Sequence, residues 1–91
     1  MIKYVLCRLF GEGCFSDESI ISVGDRREHI FVHNSCLAKT DDGKVCTRLD
    51  VYSEKRGMIF GKINGSEDEN HGYRFVPSKD VFREERVTPL A

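Results

Sequence analysis

Short runs in which apolar and polar residues alternate, broken at regular intervals by turn chemistry, constrain this chain more than any other feature. The clearest is VCTRLDVYSE, residues 45–54. Val45, Thr47, Leu49 and Val51 fall on one side, and Cys46, Arg48, Asp50 and Tyr52 on the other. A period of two is the signature of a strand with one buried face. IKYVLCRLF (2–10) is likewise rich in β-branched and aromatic residues and carries no helix cap, and IISV (20–23), HIFVH (29–33), MIFGKI (58–63) and YRFV (73–76) read as further strands. Between them lie GEGCFSDES, GDRRE, NSCLAKTDDGK, KRG and NGSEDENHG, all rich in turn formers. Gly61, inside a strand run, marks a bulge or a close backbone approach. Pro77 stops the last run; SKDVFREER then suits a short helix with Ser78 as N-cap, and VTPLA a mobile tail. Five or six short strands with almost no helix imply a small β-barrel or sandwich.

The chain has 91 residues, which is one small domain with a modest core. A net charge of −1 excludes a generally basic nucleic-acid binder, so any polyanion must be held by a local patch. Lys3, Arg8, Arg26, Arg27, Lys55, Arg56 and Lys62 supply candidates for one basic side, and Glu67, Asp68 and Glu69 for an acidic turn. The N-terminus does not read as a secretion signal, and no apolar run is long enough to span a bilayer, so a cytoplasmic protein without membrane contact is expected. Cys7, Cys14, Cys36 and Cys46 form no CxxC pair and read as free thiols; a set of His33, Cys36 and Cys46 matches no common zinc spacing. No nucleophile–base order, carboxylate pair or phosphate-cradling glycine loop emerges, so binding without catalysis, metal or cofactor is expected.

One motif is more specific. IFVHNS (30–35), reached through the polar turn DRRE, resembles the second nucleic-acid-contact motif of cold-shock domains, with His29 through Leu37 at its positions. CRLF sits where that family has Val-Lys-Trp-Phe, with Arg8 at the lysine and Phe10 at the phenylalanine. TRLDVYSEKRGMIFGKI is similar to its fourth strand, basic-glycine turn and fifth strand, with Arg56 and Gly57 in the turn. The resemblance spans residues 3–63 and implies a five-stranded OB-like barrel, with 64–91 as a C-terminal strand and short-helix extension packed on or flanking it. It also implies binding of single-stranded RNA or DNA by base stacking on surface aromatics. Phe10, Phe31 and His33 would meet bases, Arg8 and Arg56 phosphates, and Asn34 and Ser35 would add polar contacts. The chain departs from the family at its first contact motif. Ser16, Asp17, Glu18, Ser19 and Ile20 stand where two stacking phenylalanines belong, and Leu9 replaces the tryptophan. Phe15 is the nearest substitute.

Alternation places Ile30 and Val32 inward and Phe31 and His33 outward, open or covered by the extension. GYRFVPSKDVF offers a second resemblance, to the last strand, proline and polar turn of SH3-type barrels. That implies peptide or protein recognition instead, on a barrel that has lost nucleic-acid binding, with a protein partner held through the extension or the acidic turn.

Overall fold

The computed structural model describes residues 1–13, 15–24, 28–64 and 72–90. Among the described residues ten strands follow in order: β1 (Ile2–Leu6), β2 (Arg8–Glu12), β3 (Glu18–Ser22), β4 (Ile30–His33), β5 (Leu37–Thr40), β6 (Val45–Lys55), β7 (Met58–Ile63), β8 (Tyr73–Pro77), β9 (Val81–Phe82) and β10 (Val87–Pro89). Single 3-10 turns occupy Asn34–Cys36, Ser78–Asp80 and Glu84–Arg86. The protein is all-β, as expected.

The strands divide between a seven-stranded and a three-stranded sheet that do not close into a barrel. The small sheet is β2-β3-β4. β6 is the axis of the large one. Cys46 and Thr47 pair with both β5 and β1, which therefore flank β6 on opposite edges. Leu49 and Asp50 pair with both β1 and β7, so β5 and β7 share an edge, and β8 continues beyond β7. Cys7 is a junction between the two sheets. There the first strand run leaves the large sheet as β1 and enters the small one as β2, with the Cys7 N–H donating to the Val45 carbonyl at 3.1 Å. The two sheets share one core. Ile21, Ile30 and Val32 of the small sheet pack with Val5, Leu37, Leu49, Ile59, Ile63 and Val76 of the large one.

Residues 73–89 are woven into the large sheet. β8 pairs with β7, β9 with β1 and β10 with β5. The short helix expected over SKDVFREER is corrected. Ser78 is the first residue of a 3-10 turn rather than a cap, and Val81 and Phe82 extend instead. Their β-branched and aromatic side chains gain more by pairing with Val5 and Tyr4 than a lone helical turn would supply. The tail expected to be mobile is strand β10, anchored by Val87 on a second cluster formed by Tyr4, Ala38 and Cys46. LAKT, expected as a connection, is β5. The buried Arg74 of β8 is 3% exposed and ion-paired with Glu28 at 3.2 Å, tying β8 to the approach of β4.

Gly61 sits opposite Val51, where the β6–β7 register shifts by a bulge at Tyr52. The Arg56–Gly57 link between these strands has positive φ at both residues (52° and 79°), the two-residue hairpin turn that matches strand twist.

The thiols set an alkaline limit on stability. Burial, helped by nearby Cys46, pushes the Cys7 thiol up to about 12, and burial pushes Cys46 up to about 11. In the unfolded chain both ionise at pH ~8.5. Above that pH the folded state holds more protons than the unfolded, so stability falls as pH rises and is fully present below it. Each thiol contributes a slope of up to about 1.4 kcal/mol per pH unit between its two pKa values. Urea denaturation at pH 8, 9.5 and 10.5 is expected to show this decline, with a shallower slope in Cys7→Ala. An unchanged slope in that variant would remove Cys7 from the account.

Candidate recognition surfaces

Two outward sheet faces carry exposed aromatic residues. The first belongs to the small sheet. β4 has Ile30 and Val32 buried and Phe31 and His33 exposed, as the alternation requires. Ile20 lies between Phe31 and Gly11 across the sheet, so all three positions face outward. Phe10 is the extra residue where the β2–β3 register shifts; its ring centroid lies 4.6 Å from that of His29. The C-terminal strands pair with β1, β5 and β7, not with this sheet, and Phe31 remains 39% exposed.

The polar residues around it are occupied. Arg8 Nε donates to Ser22 Oγ at 3.1 Å and Nη2 to the Gly24 carbonyl at 2.8 Å. Asn34 Oδ1 accepts from the Ser19 hydroxyl, and the Asn34 N–H donates to the Asp17 carbonyl at 2.8 Å. His33 caps the 3-10 turn, its Nδ1 accepting the Ser35 N–H at 3.1 Å and lying 2.7 Å from Ser35 Oγ. With Nδ1 an acceptor, neutral His33 carries its proton on Nε2, which donates to Asp17 Oδ2 at 3.1 Å. Ser35, His33 and Asp17 thus align, but in an exposed local cap rather than a sheltered nucleophile site. Glu12, Asp17 and Glu18 make this end of the small sheet acidic. Arg56 lies on the other sheet, in the β6–β7 turn. Five of the six expected residues therefore gather on or beside the small sheet, most with their polar atoms engaged, and the sixth does not join them. Among the described residues no three His, Cys, Asp or Glu side chains form a metal-binding group. Arg26, Arg27 and the acidic run at 67–69 lie outside the described residues.

The second face is the outer side of β6-β7-β8, and sequence alone does not assemble it. Leu49, Ile59, Ile63 and Val76 point to the core, so their neighbours point out. Tyr52, Phe60, Tyr73 and Phe75 meet there, with ring centroids 4.7 Å apart for Phe60–Phe75, 5.9 Å for Phe60–Tyr73, 6.0 Å for Tyr52–Tyr73 and 6.1 Å for Tyr52–Phe60. Phe75 is 72% and Tyr52 55% exposed, while Phe60 is half-buried beneath its neighbours. Lys62 places its ammonium 5.6 Å from the Tyr73 ring centroid. The register puts Lys55 beside Met58 and Asp50 beside Lys62 on this same side. Arg48 also faces out, donating to the Tyr4 hydroxyl at 3.3 Å. Glu54 pairs with inward-facing Ile59, so it lies on the opposite side, 3.9 Å from Lys3. Among the described residues of β6 to β8 this outer face therefore carries Arg48, Lys55 and Lys62 against one carboxylate, Asp50.

No family model, no curated protein and no solved structure matches the chain.

Proposed function

We propose that the protein is a non-catalytic binder of single-stranded RNA or DNA, and that bases stack on the outer face of β6-β7-β8. The observation that carries this reading is the group Tyr52, Phe60, Tyr73 and Phe75, exposed side by side on three paired strands. Flat aromatic groups standing on a sheet receive bases without requiring a particular sequence, and each stacked base contributes ~1–3 kcal/mol. The surplus of cations on this face suits the phosphates of a nearly neutral protein's ligand. Arg56, expected from the cold-shock resemblance to hold phosphate, lies at the Lys55–Met58 end of this face rather than beside Phe31.

A second reading, a protein-interaction module, draws on the path from β8 through Pro77 and the Ser78–Asp80 turn to β9 on β1. That path follows the order of features in the SH3-type resemblance.

Fluorescence anisotropy with labelled single-stranded RNA and DNA, at low and moderate salt, tests the proposal. Binding is expected to weaken with salt and to fall about tenfold or more in Tyr52→Ala/Phe75→Ala. Both side chains are exposed, so the variant is expected to stay folded. Phe31→Ala/His33→Ala is expected to bind like wild type. Loss only in the second variant would move the site to the small sheet. Absence of binding to every single strand at low salt would favour the protein-interaction module.

A further inference from the structure

The aromatic face carries one feature that a simple polyanion platform should lack. Asp50 stands in the middle of β6, outward, in a row with Lys62 and Tyr73 across three strands. A carboxylate there repels phosphate, so its place on a face that receives nucleic acid calls for another partner. Its register partner does not supply one: the Lys62 ammonium lies over the Tyr73 ring, and Asp50 forms no ion pair among the described residues. Asp50 is half-buried at the edge of the stacking group. Tyr52 lies within its electrostatic reach, for the Tyr52 phenol is pushed up by loss of solvent first, then by Tyr73 and Asp50.

An ionised carboxylate is acceptor-only, with two oxygens set to receive two parallel donors. Among base edges, guanine offers two adjacent donors, its ring N–H and its exocyclic amino group. Adenine and cytosine each offer an amino group beside an acceptor, and uracil and thymine offer one ring N–H beside carbonyls that a carboxylate repels. Tyr52 stands two residues along β6 from Asp50 with its ring on the same face, so a base stacked on Tyr52 can turn its edge toward Asp50, with Lys62 next across the strands. From this juxtaposition we infer that the face selects guanine in single-stranded nucleic acid, with Asp50 accepting two hydrogen bonds from the guanine edge and Lys62 holding an adjacent phosphate. The inference rests on the stacking function proposed above and gives it a base preference.

The test uses the full chain and labelled RNA heptamers of uridine in which the central base is G, A, C or U, a single guanine being too few to form four-stranded structures. Wild type is expected to bind all four in a salt-dependent manner and the G heptamer about tenfold more tightly than the U heptamer, the range for one good two-bond base contact. Asp50→Asn keeps the side-chain shape and removes the charge. It is expected to bind the U heptamer as tightly as wild type or more so, with the G preference reduced to about threefold or less. Wild type that binds G and U heptamers equally would overturn the guanine inference while leaving base stacking in place. A G preference unchanged in Asp50→Asn would overturn the role of Asp50. No binding to any heptamer at low salt would overturn the stacking function and the preference together.

Discussion

Gly61→Ala is expected to destabilise the protein by about 3 kcal/mol, the upper part of the range for overpacking a filled interior. A methyl group added there would stand 2.5 Å from the Asp50 carbonyl oxygen and 3.0 Å from Cγ and Cδ1 of Leu49. Neither neighbour is free to retreat. The carbonyl belongs to β6, which is held by β1 on one side and β7 on the other, and Leu49 is a fully buried core residue. A chain of this length has a total stability of roughly 5–14 kcal/mol, so the loss is a large part of the whole. The strain also falls between Asp50 on β6 and Lys62 on β7, so a folded remnant would present a shifted outer face. Gly43→Ala provides the contrast. Open space surrounds that position, and only its φ of +85° resists a side chain, which costs on the order of 1 kcal/mol. Urea midpoints of the two variants measure the difference. If Gly61→Ala unfolds within about 0.5 kcal/mol of wild type, a scale usual for harmless surface changes, β6 and β7 do not approach each other at Gly61 as described.

A chain truncated after Ile63 is expected not to fold at all. The sequence reading makes residues 1–63 the barrel and 64–91 an extension packed on or flanking it, yet residues 73–89 supply three of the seven strands of the large sheet. Without β8 the core loses Val76, which packs in the same cluster as Ile59 and Ile63, and the inner end of the Arg74–Glu28 pair disappears. Without β9 and β10, the outer edges of β1 and β5 have no partner strands, and Tyr4, Ala38 and Cys46 lose the cover of Val87. Those losses exceed the margin of a small domain. Circular dichroism through a urea series is the check, with an expected absence of any cooperative transition. A sharp two-state transition in the 1–63 fragment would restore the minimal barrel and make the rest a true extension.

Much of the strand pattern is legible because one face of each strand meets a core. Ile30 and Val32 against Phe31 and His33, or Leu49 against Asp50, announce their faces by alternation alone. β9 and β10 are legible only from their partners: two or three residues carry too little pattern, and the charges of KDVFREER imitate an exposed helix. The recognition surface divides the same way. That Phe31 is exposed follows from its own strand, and the Tyr-x-Phe of residues 73–75 could have signalled an aromatic outer face. That Tyr52, Phe60, Tyr73 and Phe75 become neighbours depends on the bulge at Tyr52 and on the register of β7 with β8, which local sequence does not specify. Arg56 shows the opposite case. Its place in the turn was readable, but which sheet that turn would serve was not.

The pairing of β1 with β9 has a consequence for how the chain reaches this structure. β6, β7 and β8 are neighbours both in sequence and in the sheet, so they can associate early through nearby contacts. β1 needs β6 on one edge and β9 on the other, and Tyr4 meets Phe82 only once the chain through β9 is available. Pairings between such remote segments slow the search for the native state, placing this protein among the millisecond-to-second folders rather than the microsecond ones. During synthesis β1 waits with open hydrogen-bonding edges until β6 and β9 follow, and in that state it is exposed to mispairing with another copy of itself.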